Sequence, residues 1–190
     1  MDLAMAAPPG GESAVNDLAV QLFKILGYTG RAVGRVARTR EDDLFWVCGE
    51  QRHAKTDVCI MDDSDIFLLV QADKRHLDGS DPEPQLIAEA ITAFFKNNDT
   101  RVRALCLPPL LNNVIPGITM MGTMPIFYKV PITAELVRVV QLDQYPVQET
   151  VVYAHLPTVP RPVCRYSEGT KPLDNRSLIL SCYEAFNQFL

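Results

Sequence analysis

Apolar residues recur along this chain with two periods, and each change of period marks an element. Val15, Leu18, Ala19, Leu22, Phe23 and Leu26 stand at helical spacing and predict a first helix over 15–26. Asn16 and Asp17 lie near its start, and Gly27 and Gly30 break it. A short apolar run over 44–48, holding the single tryptophan Trp46, reads as a strand closed by Gly49 and Glu50. The stretch from Lys55 to Lys74 reads as two strands rich in β-formers, joined by the turn residues Asp62, Asp63, Ser64 and Asp65. Ser80-Asp81-Pro82-Glu83 is a helix start: a capping residue, an early proline and an acid in the first turn. That helix is expected to run to about Lys96 and to bury Leu86, Ile87, Ala90, Ile91, Phe94 and Phe95. Gln85 and Glu89, four apart, share another face, and Asn97 and Asn98 end the helix.

Pro108-Pro109 predict an irregular stretch over 101–113. Strands follow over 114–121 and 124–130, then a short helix over 132–141 with Thr133 as its cap, and a strand over 150–155. Pro157, Pro160, Pro162 and Pro172 punctuate a long connection. The last helix is expected over 173–190, capped by Asp174 or Asn175, with Leu178, Ile179, Cys182, Ala185, Phe186 and Phe189 inward. Three strands in a row, then a helix and further strands, predict an α/β fold with a mixed central sheet flanked by helices. Residues 1–12, ending in Pro8-Pro9-Gly10-Gly11, read as a flexible leader, and 13–190 as one domain.

Composition narrows the classes. Of 190 residues, 47% are hydrophobic and 22% charged, which is enough apolar material for one real core. A formal net charge of −5 argues against strong non-specific nucleic-acid binding while leaving room for a local basic groove. The basic stretch is Arg31, Arg35, Arg38 and Arg40; it reads as a solvated connection offset by Glu41, Asp42 and Asp43, or as a strip of phosphate contacts. The five cysteines are scattered and odd in number, which fits reduced core thiols in an intracellular protein and no structural zinc. No apolar run reaches membrane-spanning length, and the N-terminus reads as no secretory signal.

Candidate chemistry gathers at the Lys55–Lys74 hairpin. A turn pairing Met61 with Ile66 or Leu68 sets Asp57 opposite Val70 or Ala72, and puts Asp57, Ala72 and Lys74 on one face. A carboxylate and a lysine so placed suit a divalent cation and a phosphate; they equally suit an ordinary salt bridge at a sheet margin. Glu50 lies a few residues before Asp57 and is expected near the same end of the sheet, or paired with Arg52 or Lys55. His53, His76 and His155 are isolated, and no serine-nucleophile elbow, P-loop or dinucleotide glycine pattern occurs.

The order of elements, with the hairpin residues, resembles the PD-(D/E)XK nuclease-like superfamily. Four phrases are similar to a group of fungal proteins of unknown activity: Asp81-Pro-Glu-Pro-Gln-Leu-Ile-Ala-Glu-Ala90, Pro116-Gly117-Ile118, Phe127-Tyr128-Lys129-Val130-Pro131, and Glu168-Gly-Thr-Lys-Pro-Leu-Asp-Asn-Arg176. The resemblance covers roughly Glu41 to the C-terminus and implies a restriction-endonuclease-like core with C-terminal additions. It implies that Asp57 ligates Mg²⁺, with Glu50 as an added ligand; that Lys74 orients the attacking water or stabilises the phosphorane; and that Gln85 stands beside the metal. One position departs from the pattern: Ala72 stands where the family has Asp or Glu, and Asp73 replaces that ligand only if a bulge turns it inward. The resemblance therefore implies a degenerate metal site, non-catalytic or weakly active. The alternatives are an active Mg²⁺-dependent DNA or RNA hydrolase, or a protein-interaction module, a homo-oligomer among them, on the same scaffold.

Overall fold

In the computed structural model, residues 11–62, 65–72 and 81–190 are described. Six strands form one sheet in the order of the chain: β1 (Val36–Val47), β2 (Glu50–Met61), β3 (Ile66–Ala72), β4 (Asn112–Met121), β5 (Met124–Thr133) and β6 (Tyr153–His155). All neighbours are antiparallel except β3 and β4, which run parallel. A parallel pair needs a long crossover, and helix α2 (Pro82–Arg103) supplies it. The remaining helices are α1 (Gly11–Ile25), α3 (Ala134–Gln141) and α4 (Leu173–Phe186), with a single helical turn at Arg165–Glu168.

The sheet is the middle of three layers. Val58 and Ile60 of β2, Leu68 and Val70 of β3, and Ile118 and Met120 of β4 pack with Phe23 of α1 and Ile179, Tyr183 and Phe186 of α4. The opposite face carries Cys59, Met61, Ile66, Leu69, Ile115 and Val130 against Leu86, Ala90 and Phe94 of α2 and Val137 of α3. Burial on both sides explains why β2 and β3 read as continuous apolar runs rather than alternating ones. This is an α/β protein with a mixed sheet flanked by helices, as the order of elements predicts.

Several boundaries differ from those expected, each for a physical reason. Helix α1 begins at Gly11, so two residues assigned to the leader are helical and Asn16 is a buried interior residue rather than a cap; residues 1–10 lie outside the described residues. Strand β1 starts at Val36 instead of 44, because β2 gives it a full ladder from Val36↔Met61 to Val47↔Glu50. Its arginines and acids hide the strand in the sequence, since an edge strand carries charge. Of the acids expected to offset the basic stretch, Glu41 pairs with Arg38 at 3.6 Å, whereas Asp42 goes to His53 and Asp43 to Lys96.

Helix α2 runs on to Arg103 rather than stopping at Asn97. Asn97 is buried and spends its side chain on β3: it accepts from Ile66 N–H at 2.8 Å and donates to Ile66 C=O at 3.0 Å. Asn98 brackets Leu110 in the same way, at 2.8 and 3.0 Å. The strand expected over 150–155 shrinks to Tyr153–His155. Helix α4 has Pro172 at its cap position; Asp174 is drawn to Arg161, and Asn175 donates to Gly169 C=O at 3.1 Å. Leu178 and Phe189 are largely exposed rather than inward. Only one of the five cysteines, Cys59, is a core thiol; Cys48 and Cys106 are exposed. No helix among the described residues is long and apolar enough to cross a membrane.

Candidate functional site

The polar residues of interest lie where the first two turns of α2 cross the sheet. Asp81 caps α2 by accepting from Glu83 N–H at 3.1 Å, and Pro82 follows at the first helical position. Gly117 of β4 lets the helix come close, because Leu86 packs where its Cβ would stand; a Cβ built there meets Leu86 Cδ2 at 2.9 Å. That approach carries Gln85 and Glu89 onto β2. Gln85 Nε2 donates to Glu89 Oε1 at 3.1 Å and reaches Lys55 C=O at 3.4 Å.

Glu89 is 2% exposed. Its Oε2 is buried without a hydrogen-bond partner, the Thr56 hydroxyl lying close enough to favour the charged form but outside normal bonding geometry. Burial is the main influence on its acidity, and the Asp57 charge adds to it. The Gln85 and Thr56 contacts oppose both, and the carboxyl is pushed up to about 8. At pH 7 Glu89 is therefore mostly a neutral carboxylic acid. Its proton belongs on Oε2, since Oε1 accepts from Gln85. Nearby on the same side of the sheet, burial raises the Tyr128 phenol to about 12, with Thr119 and Glu83 against its hydroxyl. Gln71 of β3 is buried too, and its Oε1 makes no hydrogen bond.

The expected hairpin register needs correction. Met61 does pair with Ile66, but a bulge then shifts the ladder, so that Ile60 pairs with Leu68 and Val58 with Val70. Val70 thus faces Val58, not Asp57, and the next residues out from that pair are Asp57 and Gln71. A one-residue slip exchanges the faces of a strand, so the alternation that grouped Asp57 with Ala72 does not hold. Ala72 pairs in register with Met120 of β4. Lys74, Asp73 and His76 lie outside the described residues.

Of the expected ligands, Asp57 is half-buried beside the Glu89 carboxyl. Gln85 is present as its direct partner. Glu50 is not brought to them. It opens β2 at the β1–β2 turn and pairs with Arg52, and seven residues of strand, about 23 Å, separate it from Asp57. Glu89 is the residue that sequence reasoning missed. Spacing set it beside Gln85 on a face apart from the apolar stripe; the wide contact of α2 with β2 buries that face as well. Its one signal was an acid four residues after a glutamine in a helix otherwise rich in apolar residues.

Beside this cluster is a cavity of about 370 Å³, lined by Phe45, Val47, Ile91 and Val140 and by Gln85 and Glu89, with Arg52, His53 and Lys55 at its exposed side. A larger one of about 760 Å³ lies on the other face of the sheet, between β6 and α4. It holds Cys182 with Sγ 3.7 Å from His155 Nε2, but burial pushes that thiol up, so Cys182 rests as a thiol and not as an activated nucleophile. Among the described residues no group of three His, Cys, Asp or Glu is arranged to hold a metal ion.

The fold and site together define an α/β protein with a buried carboxyl cluster under its crossover helix. Comparison with protein-family models, curated proteins and solved structures found no match to this chain.

Proposed function

We propose that the chain is a nuclease-fold protein of the PD-(D/E)XK kind whose metal site is degenerate, so that it cleaves phosphodiesters weakly or not at all. Three features support the reading. The helix, three strands, helix and strand that carry the resemblance are all present, from α1 to β4. Asp57 lies on the second strand, and Gln85 and Glu89 come to its side from the helix that follows the third. The observation that carries the word degenerate is the state of Glu89: beside Asp57 stands a carboxyl that burial keeps protonated at neutral pH.

The described donors fit Mg²⁺ poorly. A hard dication needs ionised carboxylate oxygens and water. Glu89 is neutral, Gln85 is engaged with Glu89 and Lys55, and Glu50 is held by Arg52 at the far end of β2. That leaves Asp57 as the charged oxygen donor of the cluster among the described residues.

The test is cleavage of single- and double-stranded DNA and of RNA in Mg²⁺ and in Mn²⁺, comparing wild-type with Asp57→Ala. The two proteins should give the same near-background signal. Cutting by wild-type that Asp57→Ala abolishes would instead establish the active hydrolase.

A further inference from the structure

We propose that the outer edge of β6 is where a second copy of this chain docks, the two β6 strands pairing antiparallel about a two-fold axis so that one sheet runs through both copies. This edge uses no residue of the Glu89 cluster, so it stands or falls apart from the cleavage reading.

The two edges of the sheet carry different sequences. An edge strand offers unpaired N–H and C=O groups, and proteins guard such rows with charge and with breaks in the strand. The β1 edge is guarded in both ways. Arg38, Arg40, Glu41, Asp42 and Asp43 stand along it, and Arg40, at a φ of 57°, interrupts its ladder. The β6 edge has neither device. Only Tyr153–His155 pair with β5, yet the β-forming run starts at Thr150 and continues to Leu156, where Pro157 ends it. From Thr150 to Pro160 there is no Asp, Glu, Lys or Arg. Among the described residues, 145–160 form no backbone–backbone hydrogen bond outside the β5–β6 pairing.

Exposure and packing point the same way. Val151 is 54% and Tyr153 62% exposed, and Tyr145 and Val147, just before them, are 97% and 95% exposed. Apolar side chains left bare beside a free strand edge mark a contact with protein. The 760 Å³ cavity next to them also lacks an outer wall. Phe127 and Lys129 of β5 and their cross-strand partners His155 and Tyr153 line it from the sheet, and Leu178 and Phe186 of α4 line it from the helix layer. The sheet ends at β6, and Leu178 stays 43% exposed over the gap. A two-fold axis through Tyr153, normal to the sheet, keeps the same face of both sheets on one side. It sets Tyr153 opposite the partner's Tyr153, Val151 opposite the partner's His155 and Val152 opposite the partner's Ala154. Each pair is aromatic, β-branched or small, and no like charges meet. The second copy's Val151 and Tyr153 then close the open side of the cavity. That self-match selects a second copy as the occupant: the edge complements itself under the commonest symmetry and offers a foreign strand no charge to read.

The experiment is sedimentation velocity of the full chain from micromolar to submillimolar concentration. Wild-type should reach twice the mass of one chain at the upper end and dissociate on dilution. Tyr153→Lys, which sets two ammonium groups against each other across the axis, should raise the dissociation constant about tenfold or more, and Tyr153→Phe should leave it within about twofold. Leu44→Lys, the same change at an exposed position of β1, should leave it unaltered. Amide exchange of wild-type over 151–155 should be slower in the concentrated sample than in the dilute one; this arm stands even if Tyr153→Lys fails to fold. A monomer throughout, with exchange over 151–155 independent of concentration, overturns the proposal and leaves the edge to an extended segment of another protein. So does an oligomer whose dissociation Tyr153→Lys does not change, since its interface then lies elsewhere.

Discussion

Glu89 is the residue on which folding and function meet. Its carboxyl is held at about 8 when folded and belongs near 4.3 when unfolded, so the native state binds one more proton between those values. Stability from this group is fully present below about pH 4.3 and is lost as pH rises through about 8, at up to about 1.4 kcal/mol per unit. Wild-type should therefore lose a few kcal/mol of unfolding free energy between pH 5 and pH 8. Glu89→Gln should flatten that slope and be the more stable protein above pH 8. Urea denaturation across the range checks both, and parallel curves for the two proteins would count against a buried proton. None of this was legible in the sequence, because Glu89 lies at the rim of the apolar stripe, three residues from Leu86 and four from the polar Gln85, and only the packing of α2 on the sheet decides that it is buried. Asp57 was legible, as an acid inside an apolar strand. Its facing partners were not, because the bulge after Met61 is a matter of two strands together and leaves no mark in either alone.

Elements were legible where turn and cap chemistry is local. The Asp81-Pro82 start, the Thr133 cap, whose Oγ1 accepts from Leu136 N–H at 3.0 Å, and the β4–β5 turn at Gly122 all stand where the residues put them. They were illegible where a distant partner decides, as at β1, whose ladder comes from β2, and at Asn97, whose side chain serves β3 instead of ending a helix. The phrases singled out by resemblance also find a packing role. Glu168–Arg176 folds around itself: Arg161 grips Glu168 at 2.7 Å and Asp174 at 2.9 Å, Arg176 donates to Thr170 C=O at 3.0 Å, and Gly169 takes a positive φ of 50°. Pro116-Gly117-Ile118 is the seat of α2. Gly117→Ala should cost roughly 1–3 kcal/mol, because the new methyl meets Leu86 at 2.9 Å in a packed layer. Combined with Leu86→Ala it should cost less than the sum of the two single changes, a coupling that a double-mutant cycle reads. Strict additivity would mean that the helix does not rest on this glycine.

At the scale of the molecule, the two ends of the described chain hold one face of the sheet together. Tyr28, just after α1, is fully buried and donates its hydroxyl to the Tyr183 carbonyl of α4. Its ring stacks at 5.0 Å on Phe23, and Tyr183 meets Phe127 edge-on at 4.9 Å. The opposite face, with α2 and the Glu89 cluster, depends on neither tyrosine. Tyr28→Phe should cost about 1 kcal/mol and raise amide exchange in α1 and α4 together while leaving α2 unchanged. An increase confined to one helix, or one that spreads to α2, would break the two-face picture. The account of function is confined to the α2 face, and there it depends on a single protonation state. Carbon-detected NMR of the Glu89 side-chain carboxyl, assigned by its absence in Glu89→Gln, reads that state directly. The account predicts a titration midpoint of about 8; a midpoint in the ordinary carboxylate range near 4 would contradict it.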